Sequence, residues 1–246
     1  ARVEPRAGRI PSDQRKQYFE QAVRRLERIP GALSVAATGT PLLGGSAGVG
    51  VEANWFVVCT SNILARGVPP QPSGLNFVTP RFFDTMGIRL VAGRDLAWTD
   101  ATPNQLPPVV VNQAFARAYF GGGDALGQGI GIGPDCQAAR GRFPVIGVVA
   151  DSRPSVREDA GPAMYLPLGA FGGPVTLVVR TSVDPGALIP VVRRAIGELN
   201  ADVPTFGESP LVDLRERSLR RERFLCDVLL GFASATLLVC CLGIYG

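Results

Sequence analysis

The chain has 246 residues, 46% of them hydrophobic and 19% charged, which is apolar enough to fold and too apolar for a disordered segment. Its net charge is +4, but the basic residues, all arginine except Lys16, are scattered among 21 acids with no aromatic-interleaved stripe, so nucleic-acid binding is excluded. Histidine is absent, which removes the commonest general base, the commonest metal ligand and every Ser-His triad.

The first predicted element is a helix over 12–29. Phe19, Ala22, Val23, Leu26 and Ile29 recur at helical spacing and form one apolar face, while Arg15, Lys16, Glu20, Arg24, Arg25 and Arg28 cover the other. Ser12 or Asp13 is its candidate cap, and Pro30-Gly31 ends it. A strand over 33–37 follows, then Thr40-Pro41-Leu42. The Gly-, Pro- and Ser-rich stretch 44–74 gives no clear element.

From 75 to 150 short strands and helices alternate. Strands are predicted over 75–78, 88–92, 109–111, 129–133 and 143–150, and helices over 80–86 and 113–120. Phe115 and Tyr119 fall at i, i+4 on the second helix, which Gly121-Gly122-Gly123 closes. Beyond this region 175–181 is a buried strand, and Asp184-Pro185 opens a helix with Asp as cap and Pro at the first helical position. Leu188, Val191, Val192, Ala195, Ile196 and Leu199 make that helix's apolar face. A strand over 203–206 and Ser209-Pro210-Leu211 complete a second helix, turn, strand and Ser/Thr-Pro-Leu series. The two series predict two halves of one α/β unit, split by an insertion.

From Leu211 nothing interrupts a helical pattern. Residues 211–227 carry a weak apolar stripe among many charges, and 228–246 (VLLGFASATLLVCCLGIYG) contains no charge. Nineteen helical residues span roughly 28 Å, close to a bilayer's hydrocarbon thickness. A buried core helix would normally keep a polar face; this run has only Ser234 and Thr236. The expectation is a stalk running into a transmembrane helix. Arg215, Arg217, Arg220, Arg221 and Arg223 at its entrance favour a cytoplasmic side, although that tendency weakens for long translocated domains. The interspersed Glu216, Glu222 and Asp227 fit an ion-paired stalk face instead. A chain that opens on Ala1 and stops within an apolar run is expected to be a piece of a longer protein, delivered by an upstream segment, because its first thirty residues hold no secretory signal.

Sites of chemistry are not expected. Cys59 and Cys136 are the two cysteines of the water-facing part; they could pair in an oxidising compartment, but no spacing shows that they meet. Gly44–Gly48 matches G-x-S-x-G around Ser46, yet lacks the flanking strand and helix and any histidine partner. GGDALGQ (122–128) has Gln128 where a phosphate loop needs lysine. Asp95, Asp100, Asp124, Asp151, Glu158 and Asp159 are expected to be solvated turn residues. No catalytic, cofactor-binding or metal-binding residue is therefore expected, and no cofactor.

Seven segments, in order, carry a family resemblance: LERIPGALSVAATGTPL (26–42), FVTPRFFDTMGIRLVAGRDL (77–96), VVVNQAFARAYFGGGDALGQ (109–128), VIGVVADSR (145–153), PAMYLP (162–167), VRTSVDP (179–185) and RERFLCDVLLGFASATLLVCCLGIYG (221–246). On these the chain resembles the periplasmic core domain of MacB/FtsX-type ABC-transporter permeases, and is most similar to the duplicated orphan permeases of acidobacteria. It departs from the pattern at Ala125-Leu126 (usually Pro-Ile), at Gln128 (usually Lys) and over 49–66, which bears on loop detail.

The resemblance implies an α+β fold: a porter-like split βαβ subdomain (1–74 and 152–210), an inserted second α+β subdomain (75–151), a stalk helix (211–227) and a truncated transmembrane helix (228–246), with further helices before and after the chain. It implies a non-enzymatic permease segment on the extracytoplasmic side of the bacterial inner membrane. The expected partners are the membrane, a separate cytoplasmic ABC ATPase, a second permease half or copy, and in some assemblies a periplasmic adaptor. The function it implies is coupling of ATP hydrolysis to efflux or extracytoplasmic work. The alternatives are a membrane-anchored binding or sensor module without transport, and, more remotely, a tethered hydrolase using Ser46.

Overall fold

A computed structural model describes residues 2–3, 12–39, 57–60, 73–100, 102, 105–133, 142–152, 161–170, 175–199, 205–206, 210, 230, 232–233, 236, 239–241 and 244. The chain forms two compact units, Ala1–Glu208 and Ser209–Gly246. In the first, the elements are β1 (Arg2–Val3), α1 (Ser12–Glu27), β2 (Ala32–Thr38), β3 (Val57–Cys59), β4 (Gly74–Val78), α2 (Phe82–Met86), β5 (Leu90–Gly93), β6 (Val109–Asn112), α3 (Gln113–Phe120), β7 (Gly129–Gly133), β8 (Phe143–Val149), β9 (Ala163–Pro167), β10 (Val175–Thr181), α4 (Pro185–Gly197) and β11 (Thr205–Phe206), with 3-10 turns at Trp98–Asp100 and Leu168–Ala170.

The strands join in the order β11-β1-β10-β2-β4-β9-β6-β8-β7-β3, with β5 pairing β8. Pairing is parallel at β4–β9 and β6–β8 and antiparallel elsewhere. The result is the mixed α+β architecture expected from the sequence.

Strand alternation sorts the core into two faces. Val35 and Ala37 of β2 point toward α1 and α4, meeting Phe19, Val23, Leu26, Val192 and Ile196. Val109 and Val111 of β6 and Met164 and Leu166 of β9 point toward α3, meeting Phe115 and Tyr119. Phe77 packs against both groups, so α1, α4 and α3 lie along one face. Ala36, Val78, Val110, Val149 and Tyr165 take the opposite face, where Phe82 and Phe83 of α2 and Leu96 cover them. Fully burying a side chain such as Phe19 or Leu26 contributes about 1.5–3 kcal/mol.

Local signals account for the element ends. Gly31 stops the chain after α1 at φ +92°, and an added Cβ would stand 2.9 Å from Val183 Cγ2. Asp184 caps α4 by accepting from the Ala187 N–H at 3.1 Å, with Pro185 at the first position, as the sequence indicates. Asn112, buried at the end of β6, accepts from the N–H groups of Phe115 and Ala163, both at 2.9 Å, and donates to the Gly161 carbonyl at 2.9 Å. One side chain thus caps α3 and fixes the start of β9. Phe115 and Tyr119 stack with ring centroids 4.2 Å apart.

Candidate functional site

Among the described residues, the candidate carboxylates Asp95, Asp100, Asp124 and Asp151 bind backbone N–H groups. Asp95 accepts from the backbone N–H of Arg81 (3.1 Å) and of Leu96 (2.6 Å). Asp100 accepts from the Ala97 N–H at 2.8 Å and takes a two-pronged pair from Arg94, both contacts 2.8 Å. Asp124 accepts from the Leu126 N–H, and Asp151 binds the Ala114 N–H at the start of α3 together with Arg117. Asp100 is not simply solvated: its side chain is only 10% exposed.

Electrostatics follow this packing. The Arg94 hydrogen bond holds the Asp100 carboxyl below the usual range, ahead of an opposing effect of burial. Burial raises Asp95, with its two backbone hydrogen bonds opposing. Burial pushes the Tyr119 phenol up to about 12 and also raises Tyr165 and Tyr18.

The loop 122–128 is likewise committed. The Gly127 N–H donates to the Val145 carbonyl, the Gln128 N–H to the Ala125 carbonyl and the Leu126 N–H to Asp124, so these amides are not aimed at a phosphate. Among the described residues no cluster of His, Cys, Asp or Glu could hold a metal ion. Ser46, Glu158, Asp159, Cys136, Cys226 and the stalk 211–227 lie outside the described residues.

What the geometry does build is a seam between β2, from the first half, and β4, from the middle of the chain. The strands share one register pair, Thr38 with Val78, supported by Gly39 N–H to Phe77 carbonyl (2.7 Å) and Thr79 N–H to Ala37 carbonyl (3.0 Å). Side chains reinforce it. Thr79 Oγ1 accepts from the Ala37 N–H at 2.8 Å, and Thr38 Oγ1 donates to Asn76 Oδ1 at 2.8 Å. α2 crosses below: Ser34 and Thr85 share a buried hydroxyl contact, and Arg180 of β10 donates to the Asp84 carbonyl at 3.0 Å. Arg81, with φ +64°, reaches Glu27 of α1 at 2.8 Å. No sequence pattern announces this seam, because its partners are 38 to 96 residues apart.

In the second unit the described residues from Leu230 to Ile244 are helical. Leu230, Phe232, Val239 and Ile244 are 68–79% exposed, and Cys240 and Cys241 are exposed free thiols. The Thr236 hydroxyl folds back onto the Phe232 carbonyl at 2.8 Å, which satisfies its polar group internally. Among the described residues no helix is long and apolar enough to cross a membrane.

The first unit is thus an α+β domain with a mixed sheet. A family model for the MacB-like periplasmic core domain matches residues 2–199. The chain therefore belongs to the MacB-like periplasmic core domain family, found in ABC-transporter permeases, as the resemblance implied. A search of curated protein sequences gives no match. Among solved structures it is similar to the periplasmic region of MacB from Actinobacillus actinomycetemcomitans (17% identity, 74% of each chain, TM-score 0.48). It is also similar to the extracellular domain of the noncanonic ABC-type transporter YknZ from Gram-positive bacteria (16% identity, 82% of this chain and 94% of that one, TM-score 0.47). A domain of a permease protein from Porphyromonas gingivalis aligns at 18% identity over 78% of this chain and 86% of that one, TM-score 0.45.

Proposed function

We propose that this chain is the extracytoplasmic head and stalk of an ABC-transporter permease, coupling ATP hydrolysis by a separate cytoplasmic ATPase to efflux or other work outside the cytoplasm. Residues 228–246 form its transmembrane helix and 211–227 the stalk that relays motion to the head. The head comprises a split porter-like subdomain (1–74 and 152–210) and an inserted one (75–151), whose strands pair with β2, β3 and β9 of the first. A second permease half or copy completes the assembly, with or without an adaptor. The observation that carries this reading is the pairing of an uncharged tail, whose described residues are helical with exposed apolar side chains, with a family domain whose described candidate carboxylates bind backbone N–H groups.

The test is Leu219→Pro in the full permease, reconstituted with its ATPase in lipid vesicles. An interior proline costs a helix about 3 kcal/mol or more. Amide exchange of head peptides is compared with and without trapped ATP. The expected result is an ATP-dependent change in the parent that disappears in the variant at equal membrane content. An ATP-dependent change that survives the proline contradicts coupling through the stalk, and no change in either protein favours an anchored binding module.

A further inference from the structure

The sheet of the first unit is not joined equally along its width. β2 shares six register pairs with β10, and β4 shares five with β9, but β2 and β4 share one. That step divides the unit into two sides. The first holds β11-β1-β10-β2 with α1 and α4; the second holds β4-β9-β6-β8-β7-β3 with β5 and α3.

Each side has its own apolar core. In the group around Phe19 and Ile196, Leu168 is the one buried member outside α1, α4, β2 and β10. Every buried member of the group around Phe115 comes from the second side. Few apolar side chains bridge the step among the described residues. Phe77 and Trp98 reach the first core from the second side, and Ala36 crosses the other way.

The ladder between the sides stops at Thr79. The Ala37 N–H is met by the Thr79 hydroxyl at 2.8 Å, while the Thr79 carbonyl accepts from the Phe82 N–H at 3.3 Å and starts α2. α2 is anchored on the second side, where Phe82 and Phe83 pack on Tyr165 of β9 with ring centroids 6.3 and 5.0 Å apart. It holds the first side largely through polar groups. The Thr85 hydroxyl meets Ser34, the Asp84 carbonyl accepts from Arg180 at 3.0 Å, and Arg81 donates to Glu27 at 2.8 Å. The last two links are exposed, so water replaces them at little net cost, whereas opening either core would expose apolar side chains.

We propose that the β2–β4 step is a hinge and α2 its latch. The two sides move as rigid bodies about the Thr38–Val78 pair, and water takes the place of the Arg180 and Glu27 links in the open form. The moving bodies are not the split and inserted subdomains as such, because β3 and β9 lie with the inserted strands. The hinge belongs to the head alone and needs neither nucleotide nor partner. Its failure therefore leaves the coupling reading standing, and failure of that reading leaves the hinge.

The test uses the full protein in lipid nanodiscs without nucleotide. Glu27→Gln combined with Arg180→Met removes two latch links at the surface and leaves both cores untouched. Amide exchange is read residue by residue. The Gly39 and Thr79 N–H groups, bonded across the step, should exchange about tenfold or more faster than those of Val23 inside α1 and Tyr119 inside α3. In the variant they should speed up roughly three- to tenfold while Val23 and Tyr119 keep their rates. Nitroxides carried on p-acetylphenylalanine in place of exposed Gln21 of α1 and Ala118 of α3 should report two distances between the sides, the minor one growing in the variant. Seam amides as slow as the helix amides, all of these amides speeding up together, or one distance unchanged between the two proteins would each overturn the hinge.

Discussion

Ser34 Oγ and Thr85 Oγ1 lie 2.5 Å apart, both buried, one on β2 and the other on α2. Thr85 also donates to the Arg81 carbonyl at 2.7 Å. Each hydroxyl has one proton, so Ser34 is the donor of the pair and Thr85 the link between sheet and helix. Thr85→Val keeps the shape and strands the Ser34 hydroxyl. The variant should lose about 1–3 kcal/mol of stability, read from its denaturant midpoint at unchanged slope, because a buried donor is left unpaired. Loss below a few tenths would show that Ser34 finds another acceptor.

Arg81 is a non-glycine residue in the left-handed region, anchored by Asp95 at its N–H and by Glu27 and Asp84 at its guanidinium. Alanine and glycine remove the same ion pairs but differ in backbone strain. Arg81→Gly should therefore be about 1–2 kcal/mol more stable than Arg81→Ala. The Glu27 pair is half exposed, so Glu27→Gln should cost about 1 kcal/mol at most and less at high salt. Thermal melts of the three variants at two salt concentrations check both statements.

Asp100 and Asp95 pull acid stability in opposite directions. The folded Asp100 carboxyl titrates below its unfolded value, so its stabilisation is present above the unfolded range near pH 4 and is lost as pH falls through the folded value. Asp95 titrates above its unfolded value, so its contribution is largest in acid and fades as pH rises through the folded value. Asp100→Asn should be less stable than the parent at pH 7 and lose less between pH 7 and pH 3. Parallel stability curves for the two proteins would show that the Arg94 pair contributes nothing.

Val239, near the middle of 228–246, is 68% exposed. A lipid-embedded helix pays for an arginine there by about 2.5–3.5 kcal/mol of insertion free energy. Val239→Arg should move a measurable fraction of the protein from the alkali-resistant membrane pellet to the supernatant, while Val91→Arg on the head should not. Equal pelleting of both variants would contradict a span in the tail.

Residues with strong local signals were readable before the structure. The face Phe19-Ala22-Val23-Leu26 gave α1, Asp184-Pro185 the start of α4, and VTLVVRT the whole of β10. What was not readable depends on distant partners. β3 is a three-residue strand whose burial comes from β7, and β9 (AMYLP) is a short run between prolines that becomes a strand by pairing β4 across 89 residues. Arg81's left-handed backbone has no cue in its residue type, since glycine or asparagine would be the usual choice. The carboxylates looked like solvated turns because Arg94–Asp100 and Arg117–Asp151 pair only once the chain has folded. The uncharged tail was legible throughout, being a matter of composition.

The most direct test of the central claim is the side of the membrane on which the head lies. Arg89, exposed beside β5, is replaced by cysteine in the full protein and probed in intact spheroplasts with a membrane-impermeant maleimide, the parent protein serving as baseline. Labelling of the variant above the baseline before permeabilisation is the expected result. Labelling that appears only after permeabilisation would place the head in the cytoplasm and contradict the account.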